Sequence, residues 1–168
     1  MPGYRFIASN TDRSRYYVGE LNGKSSKQAY MDALHISESN IINQTFHNPL
    51  GKMNGQDICI ISLKEVSGNG LCCYRQVNDS DVLVLLEEQD YNEILDETLQ
   101  RIRRDFNHIS GVFSINCVFR YLLFSQEHHM EDYLKTMSTL GDHAGLIGFG
   151  EHYNQQFVNQ TMTCVVFE

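Results

Sequence analysis

The sequence has little positive charge and no long apolar run. It contains 13 Lys and Arg against 21 Asp and Glu, which gives a formal net charge of −8. An acidic surface repels phosphate backbones and anionic lipids, so we expect neither nucleic acid nor membrane as a partner. No stretch approaches the ~20 apolar residues of a spanning helix, and the N-terminus lacks the apolar segment of a signal peptide. We therefore expect a cytoplasmic protein.

The sequence also lacks the signatures of common catalytic and metal sites. It contains no G-x-S-x-G, no P-loop and no G-x-G-x-x-G motif. The number of cysteines is odd, and their spacing fits neither a disulfide framework nor a zinc motif. We expect reduced thiols, no metal, no cofactor and no enzymatic activity, although a Cys117 nucleophile with a nearby histidine stays open. The five cysteines are Cys59, Cys72, Cys73, Cys117 and Cys164.

No repeat, low-complexity segment or linker divides the 168 residues, and this length suits one domain. Apolar residues make up 42% of the chain and charged residues 20%, which is typical of a globular protein rather than a disordered one. We predict a single domain.

Three helices are predicted. The first two begin at Ser25 and Asp90, which are typical N-cap residues, and the third covers residues 120–140. Leu99 and Leu134 lie in the apolar stripes of the second and third helices, so we expect both side chains to be buried.

Short strand-like runs separated by turn residues predict an antiparallel meander in the first half of the chain. Strands alternate with helices in the second half. Together these patterns predict an α+β fold with a mostly antiparallel sheet covered by two or three helices. The segment 37–56 is predicted to be irregular. The strands are predicted over residues 4–8, 15–21, 57–63, 71–77, 82–86, 111–117, 144–149 and 157–167.

Two strand ends place a charged side chain beside an apolar run. Cys117 and Arg120 lie where a predicted strand turns into a helix, and a helix N-terminus favours an anion. Glu151 follows Gly148 and Gly150, which permit the close approach of a ligand. Structural alternatives stay open for both: an arginine that pairs within the fold, and a β-bulge with an exposed glutamate.

Two further places carry polar side chains of interest. Asn159 and Thr161 interrupt the last predicted strand, where alternation would put both on one face. That face could instead be the solvated side of an antiparallel sheet. His47 lies in the turn of residues 47–51, where it could point inward or be ordinary polar surface.

Taken in order along the chain, these segments resemble the C-terminal domain of the FIST family. The resemblance covers the chain from about Val18 to its end. Each motif alone is weak, and their order and spacing make the match specific. The matching segments are residues 19–23 with Ala29-Tyr30, residues 47–51, the strand with Arg75, residues 116–120, residues 148–151 and residues 159–161.

The resemblance implies an intracellular sensory domain of signal-transduction proteins that binds a small ligand, with an amino acid as the usual suggestion. An amino acid needs a cation for its carboxylate and an acid for its ammonium group. Arg120 and Glu151 offer this pair, with Arg75 as a second cation. The predicted ligand-binding residues are Arg75, Cys117, Arg120, Glu151, Asn159, Thr161 and His47.

The same resemblance predicts a FIST C-like domain over residues 1–168, in which residues 1–14 could be an extension or a remnant of an upstream domain. Its expected partners are the small ligand and either an N-terminal FIST domain or a signalling output protein. Some family members are linked to haem and nitric oxide sensing. A haem sensor is therefore one alternative function, and a protein-interaction module is another.

Overall fold

The computed structural model describes residues 3–55, 57–153 and 156–168. Its contacts divide the chain into two compact units, Met1–Glu88 and Gln89–Glu168. Both units contain strands and helices, and most strand pairs are antiparallel. The predicted α+β class with a mostly antiparallel sheet is confirmed, while the extent of the family domain stays a prediction.

The first unit is built on an eight-stranded antiparallel sheet. Its strands are β1 (Arg5–Asp12), β2 (Tyr17–Leu21), β3 (Lys24–Ser25), β4 (Leu50–Asn54), β5 (Asp57–Ile61), β6 (Leu63–Ser67), β7 (Gly70–Cys73) and β8 (Val82–Leu85). Its helices are α1 (Ser26–Leu34), a 3₁₀ turn (Glu38–Asn40) and the short α2 (Ile41–Gln44). The strands lie in the order β5-β4-β8-β1-β2-β7-β6, and β3 pairs with β2.

A break at Ser62 determines the curvature of this sheet. The sequence predicts one strand over residues 57–63, whereas β5 and β6 lie on either side of Ser62. β5 pairs with β4 and β6 pairs with β7, so two consecutive strands stand at opposite ends of the strand order. The sheet must therefore curl to bring its ends together. The segment 37–56 is predicted to be irregular, but its residues 37–55 include α2 and β4, whose Gly and Lys obscure the strand pattern; residue 56 lies outside the described residues.

Helix α1 begins and packs as its sequence predicts. The Ser25 hydroxyl accepts a hydrogen bond from the amide of Gln28 at 3.3 Å, which satisfies one of the free N–H groups of the first turn. Ala29 and Tyr30 face the core. The Tyr30 hydroxyl donates to the carbonyl of Asn48 at 2.7 Å, so this buried polar group does not lack a partner.

The second unit contains three helices and a three-stranded sheet. Its helices are α3 (Tyr91–Asp105), α4 (Val118–Gln126), α5 (Met130–Met137) and a 3₁₀ turn (Ser138–Leu140). Its strands are β9 (Gly111–Cys117), β10 (Asp142–Gly148), β11 (Glu151–Tyr153), β12 (Gln156–Val158) and β13 (Met162–Phe167). β9 is the central strand, with β10 parallel on one side and β13 antiparallel on the other. β11 and β12 form a separate antiparallel pair.

Helices pack on one face of the three-stranded sheet, whereas side chains on the other face are exposed. Val112 and Ser114 of β9 are buried on the face where α4 and α5 lie. The opposite face carries apolar side chains from all three strands, since the register places Phe113 and Ile115 of β9 on the same face as Leu146 of β10 and as Val165 and Phe167 of β13. About half of the surface of each of the Leu146, Val165 and Phe167 side chains is exposed.

The helix predicted over residues 120–140 is wrong, because the chain forms two helices there. His128 lies between α4 and α5 with a φ of 56°, a left-handed conformation that no α-helix continues through. The break shifts the phase of the apolar stripe. Tyr133 and Met137 are buried, and Leu134 is 46% exposed instead of buried as predicted.

The strand predicted over residues 157–167 is also divided. β12 and β13 are separated by residues 159–161, and Gln160 has a φ of 56°. Asn159 and Thr161 therefore lie in a connection, and the prediction that strand alternation puts them on one face is wrong.

Helix α3 matches its sequence pattern. The Asp90 carboxylate accepts hydrogen bonds from the amides of Asn92 at 2.9 Å and Glu93 at 3.2 Å. Leu95 and Leu99 are buried as the apolar stripe predicts. Among the described residues, no helix is both long and apolar enough to cross a membrane.

Leu99 and Leu134 form a matched pair for testing this packing. Leu99 is 2% exposed and Leu134 is 46% exposed. We expect Leu99→Ala to lower the free energy of unfolding by roughly 2–5 kcal/mol, because it leaves a cavity in the core. We expect Leu134→Ala to lower it by less than about 1 kcal/mol. Urea denaturation followed by circular dichroism measures both, and equal losses would contradict the phase shift at His128.

Candidate functional site

The junction between β9 and α4 holds the first part of a buried polar cluster. Cys117 is the last residue of β9 and the N-cap residue of α4, which begins at Val118 and not at residue 120 as predicted. Its side chain is buried, and its backbone N–H donates to the carbonyl of Thr161 at 3.1 Å. This bond holds the connection of residues 159–161 beside the first turn of α4, which carries Arg120.

Glu151 forms the second part of the cluster. It is the first residue of β11 and is 3% exposed, so the alternative of an exposed glutamate at a bulge is wrong. Its Oε2 accepts a hydrogen bond from the Thr161 hydroxyl at 2.6 Å. Its Oε1 is buried and has no hydrogen-bond partner within residues 3–55, 57–153 and 156–168. Burial raises the pKa of Glu151, although the Thr161 hydrogen bond and the charge of Arg120 act in the opposite direction.

The Arg120 guanidinium lies over two aromatic rings. Its Cζ is 4.6 Å from the ring centre of Phe124 and 5.6 Å from that of Tyr133, distances at which a cation is attracted to a ring face. Burial lowers the pKa of Arg120, against the opposing effects of Tyr133 and Glu151. The Nε of Arg120 is buried and has no hydrogen-bond partner in the described part of the chain.

Arg120 and Glu151 influence each other without forming a close ion pair. Each contributes to the pKa of the other. Within the described part of the chain, no carboxylate oxygen lies within 4.0 Å of a guanidinium nitrogen of Arg120. The donor Nε and the acceptor Oε1 therefore remain available to a third group.

Asn159 adds a second acceptor that has no partner. The side chain is 7% exposed, and its Oδ1 is buried without a hydrogen bond to any described residue. It lies against the turn before Glu151, because a Cβ on Gly150 would be 2.9 Å from this oxygen and 2.3 Å from the ring of Phe157. Gly150 also has a φ of +119°, so both space and conformation favour glycine here.

His129 belongs to the same region, although the sequence pattern gave no reason to choose it. It lies in the break between α4 and α5, and its Nε2 is buried without a hydrogen-bond partner. Its ring centre is 4.9 Å from that of Phe124, the ring on which Arg120 lies, and 4.6 Å from that of Tyr91. His129 directly follows the left-handed His128, and the single helix predicted over residues 120–140 hides this break.

A hydrogen-bonded network continues from Tyr133 towards β10. The Tyr133 hydroxyl accepts from Nδ2 of Asn116 at 2.8 Å and is 3.4 Å from Oγ of Ser114. That Oγ is 2.9 Å from Nε2 of His143. Burial lowers the pKa of His143. The network fixes the Tyr133 ring under Arg120 and so determines where the guanidinium lies.

Two predicted ligand residues lie in the first unit. Arg75 follows β7 in a bend and is half-buried; the strand predicted over residues 71–77 is wrong, because β7 ends at Cys73. His47 is half-buried, and its Nδ1 is 2.5 Å from Oε2 of Glu88. The structure brings the other five predicted residues together in the second unit, and ligand binding by all seven stays a prediction.

The cluster presents donor and acceptor atoms without hydrogen-bond partners among the described residues. A buried polar atom without a partner costs roughly 1–3 kcal/mol, and such atoms are rare in folded proteins. Here a donor and two acceptors without partners belong to Arg120, Glu151 and Asn159. A ligand that accepts from the first and donates to the other two would remove this cost.

Comparison with protein families matches the chain to the FIST C domain over residues 27–154. The match covers most of the chain and includes Cys117, Arg120 and Glu151. No curated protein and no solved structure matches the chain.

Glu151→Gln tests whether the buried charge of Glu151 destabilises the folded protein. Because its pKa is raised in the folded protein, ionisation of Glu151 favours the unfolded state. Its contribution to stability is present at pH values below the unfolded pKa of about 4.5 and is lost as the pH rises through the folded pKa. We expect Glu151→Gln to be at least as stable as the wild type at pH 7. Its free energy of unfolding relative to that of the wild type should increase between pH 4 and pH 7. Urea denaturation at several pH values measures this difference.

Glu131→Gln is the matched control. The exposed Glu131 carboxylate pairs with Lys135 at 2.9 Å, which lowers its pKa. Ionisation of Glu131 therefore stabilises the folded state, and the control should show a small effect of opposite sign. A strong loss of stability in Glu151→Gln at pH 7 would contradict the unpartnered carboxylate and indicate a buried ion pair instead.

Proposed function

The chain belongs to the FIST C domain family of signal-transduction sensory domains, and we propose that it is a non-catalytic receptor for a small amino-acid-like ligand. The observation that carries this proposal is the pair of opposite charges at the buried cluster. Nε of Arg120 and Oε1 of Glu151 are both buried, and neither has a hydrogen-bond partner among the residues that the structure describes. An amino acid presents one group of each kind, a carboxylate and an ammonium.

The ligand carboxylate would accept from Arg120, and its ammonium would donate to Oε1 of Glu151 and Oδ1 of Asn159. Charge-assisted hydrogen bonds of this kind are stronger than neutral ones, and few polar groups suffice to orient a small ligand. Thr161 would position the Glu151 carboxylate through its 2.6 Å hydrogen bond.

The energetics of Glu151 support a binding role. A raised carboxyl pKa means that the charged form destabilises the empty domain. A bound ammonium group would reverse this effect, because an opposite charge favours the ionised carboxylate. Ligand binding would then change the protonation and local rigidity of the region around β11, a signal that an N-terminal FIST domain or a cytoplasmic output protein could read.

A protein-interaction module is the second candidate function. It is favoured by the uncovered face of the three-stranded sheet, where Leu146, Val165 and Phe167 are about half exposed. A cluster of exposed apolar side chains is found at interaction sites more often than on the rest of a protein surface.

Ligand recognition is tested with a thermal-shift screen of amino acids followed by calorimetric titration. Arg120→Met removes the charge and retains an unbranched side chain over Phe124. We expect it to weaken binding by roughly 30-fold to 3,000-fold, which corresponds to about 2–5 kcal/mol for a desolvated charge. Arg104→Met, in the exposed last turn of α3, is the control and should bind as the wild type does.

Glu151→Gln provides a second test with an internal control. The substitution keeps the shape of the side chain and removes its charge. We expect it to weaken an α-amino acid more than the corresponding deaminated acid, because only the amino acid carries an ammonium group. Misfolding would weaken both ligands equally. Equal affinities of wild type, Arg120→Met and Glu151→Gln would exclude this pair as the recognition site, and a Soret band on haem addition without any amino-acid binding would favour the haem sensor.

A further inference from the structure

Strand β10 presents an open edge of the sheet. It pairs with β9 on one side over all seven residues, without a register shift. Neighbouring residues of a strand direct their backbone groups alternately to its two sides, so about half of the amide and carbonyl groups of β10 point away from β9. Within the described part of the second unit, no other residue hydrogen-bonds to the backbone of Asp142–Gly148. β13, on the opposite side of the sheet, has β11 beside it.

This edge lacks the features that usually prevent strand pairing. Natural proteins protect exposed edges with lysine, proline or a bulge. β10 contains none of these, and its only charged residue is Asp142 at its first position. Leu146 and Ile147 are 48% and 47% exposed on the two faces of the strand.

The sequence of β10 is suited to pairing with itself. An antiparallel pairing with a two-fold axis at Gly145 would put Ala144 opposite Leu146 and His143 opposite Ile147. Residues on the apolar face of the sheet would then meet residues on the same face, as pairing across strands requires. Each contact joins a larger side chain to a smaller or planar one, and the two glycines allow the strands to approach closely.

We propose that β10 is a homodimerisation strand, through which two copies of the chain join their three-stranded sheets into one six-stranded sheet. A two-fold axis closes the assembly at two copies, because each β10 has only one open edge. The contact is narrow and has few side chains, so the dimer is a weak one that depends on protein concentration. This inference does not rest on the proposed ligand site.

Sedimentation equilibrium of the full chain tests the proposal. The apparent mass should rise from 19.3 kDa towards twice that value as the concentration increases from about 5 to about 500 µM, the range expected for a small interface. Ile147→Lys places a charge at the open edge and should abolish the rise. Val165→Lys is the matched control, since Val165 is 56% exposed on β13, and it should dimerise as the wild type does. Thermal melts verify that both variants are folded.

Disulfide trapping tests the register. Antiparallel neighbours have Cα atoms about 4.5–5.5 Å apart, within the range that a disulfide spans. A mixture of Ala144→Cys chains with Leu146→Cys chains should therefore give, on mild oxidation, several-fold more cross-linked dimer than either variant alone or the wild type. A monomer at every concentration would overturn the proposal, and would leave β10 open to an extended peptide of another protein. A dimer that Val165→Lys also disrupts, or that the mixed variants do not trap, would place the contact elsewhere and overturn it equally.

Discussion

The buried carboxylate of Glu151 is the group around which the polar cluster of the second unit is arranged. One oxygen accepts from Thr161 and the other has no partner. Leaving a charged group in this state is costly, and a neutral side chain of similar shape would avoid the cost. A cost that a simple substitution would remove is expected at functional sites, where residues serve binding rather than stability.

Three local features of the backbone place the polar neighbours of this carboxylate. The junction of β9 and α4 positions Arg120, and the hydrogen bond from Cys117 to Thr161 fixes the neighbouring connection. The left-handed Gln160 divides the last strand and lets Asn159 and Thr161 leave its regular alternation. The glycine at position 150 allows Asn159 to approach the turn before β11. Together these features assemble a site from segments far apart in the chain, since Cys117 and Thr161 are separated by more than 40 residues.

Local signals were sufficient where one physical rule dominates. Asp90 caps α3 and Leu99 faces the core, because N-cap hydrogen bonds and helical periodicity act within a few residues. The same periodicity failed at Leu134, since one left-handed residue, His128, resets the phase of the helix. The strand prediction failed at Ser62, because a continuous apolar run hides the point where the chain stops pairing with β4 and starts pairing with β7. Pairing between strands depends on residues far apart in the chain, which a local pattern does not contain.

The α+β class, the family and the segments that carry the five residues of the second unit follow from residue types and their order, which need no knowledge of contacts. These five are Cys117, Arg120, Glu151, Asn159 and Thr161. Contacts in the folded chain were needed to place Arg75 and His47 in a different unit and His129 in the region of the five. Those contacts also determine which polar atoms lack partners among the described residues. Burial and hydrogen bonding are properties of the folded arrangement, because the same carboxylate is solvated in an extended chain and unpartnered only when surrounding elements exclude water.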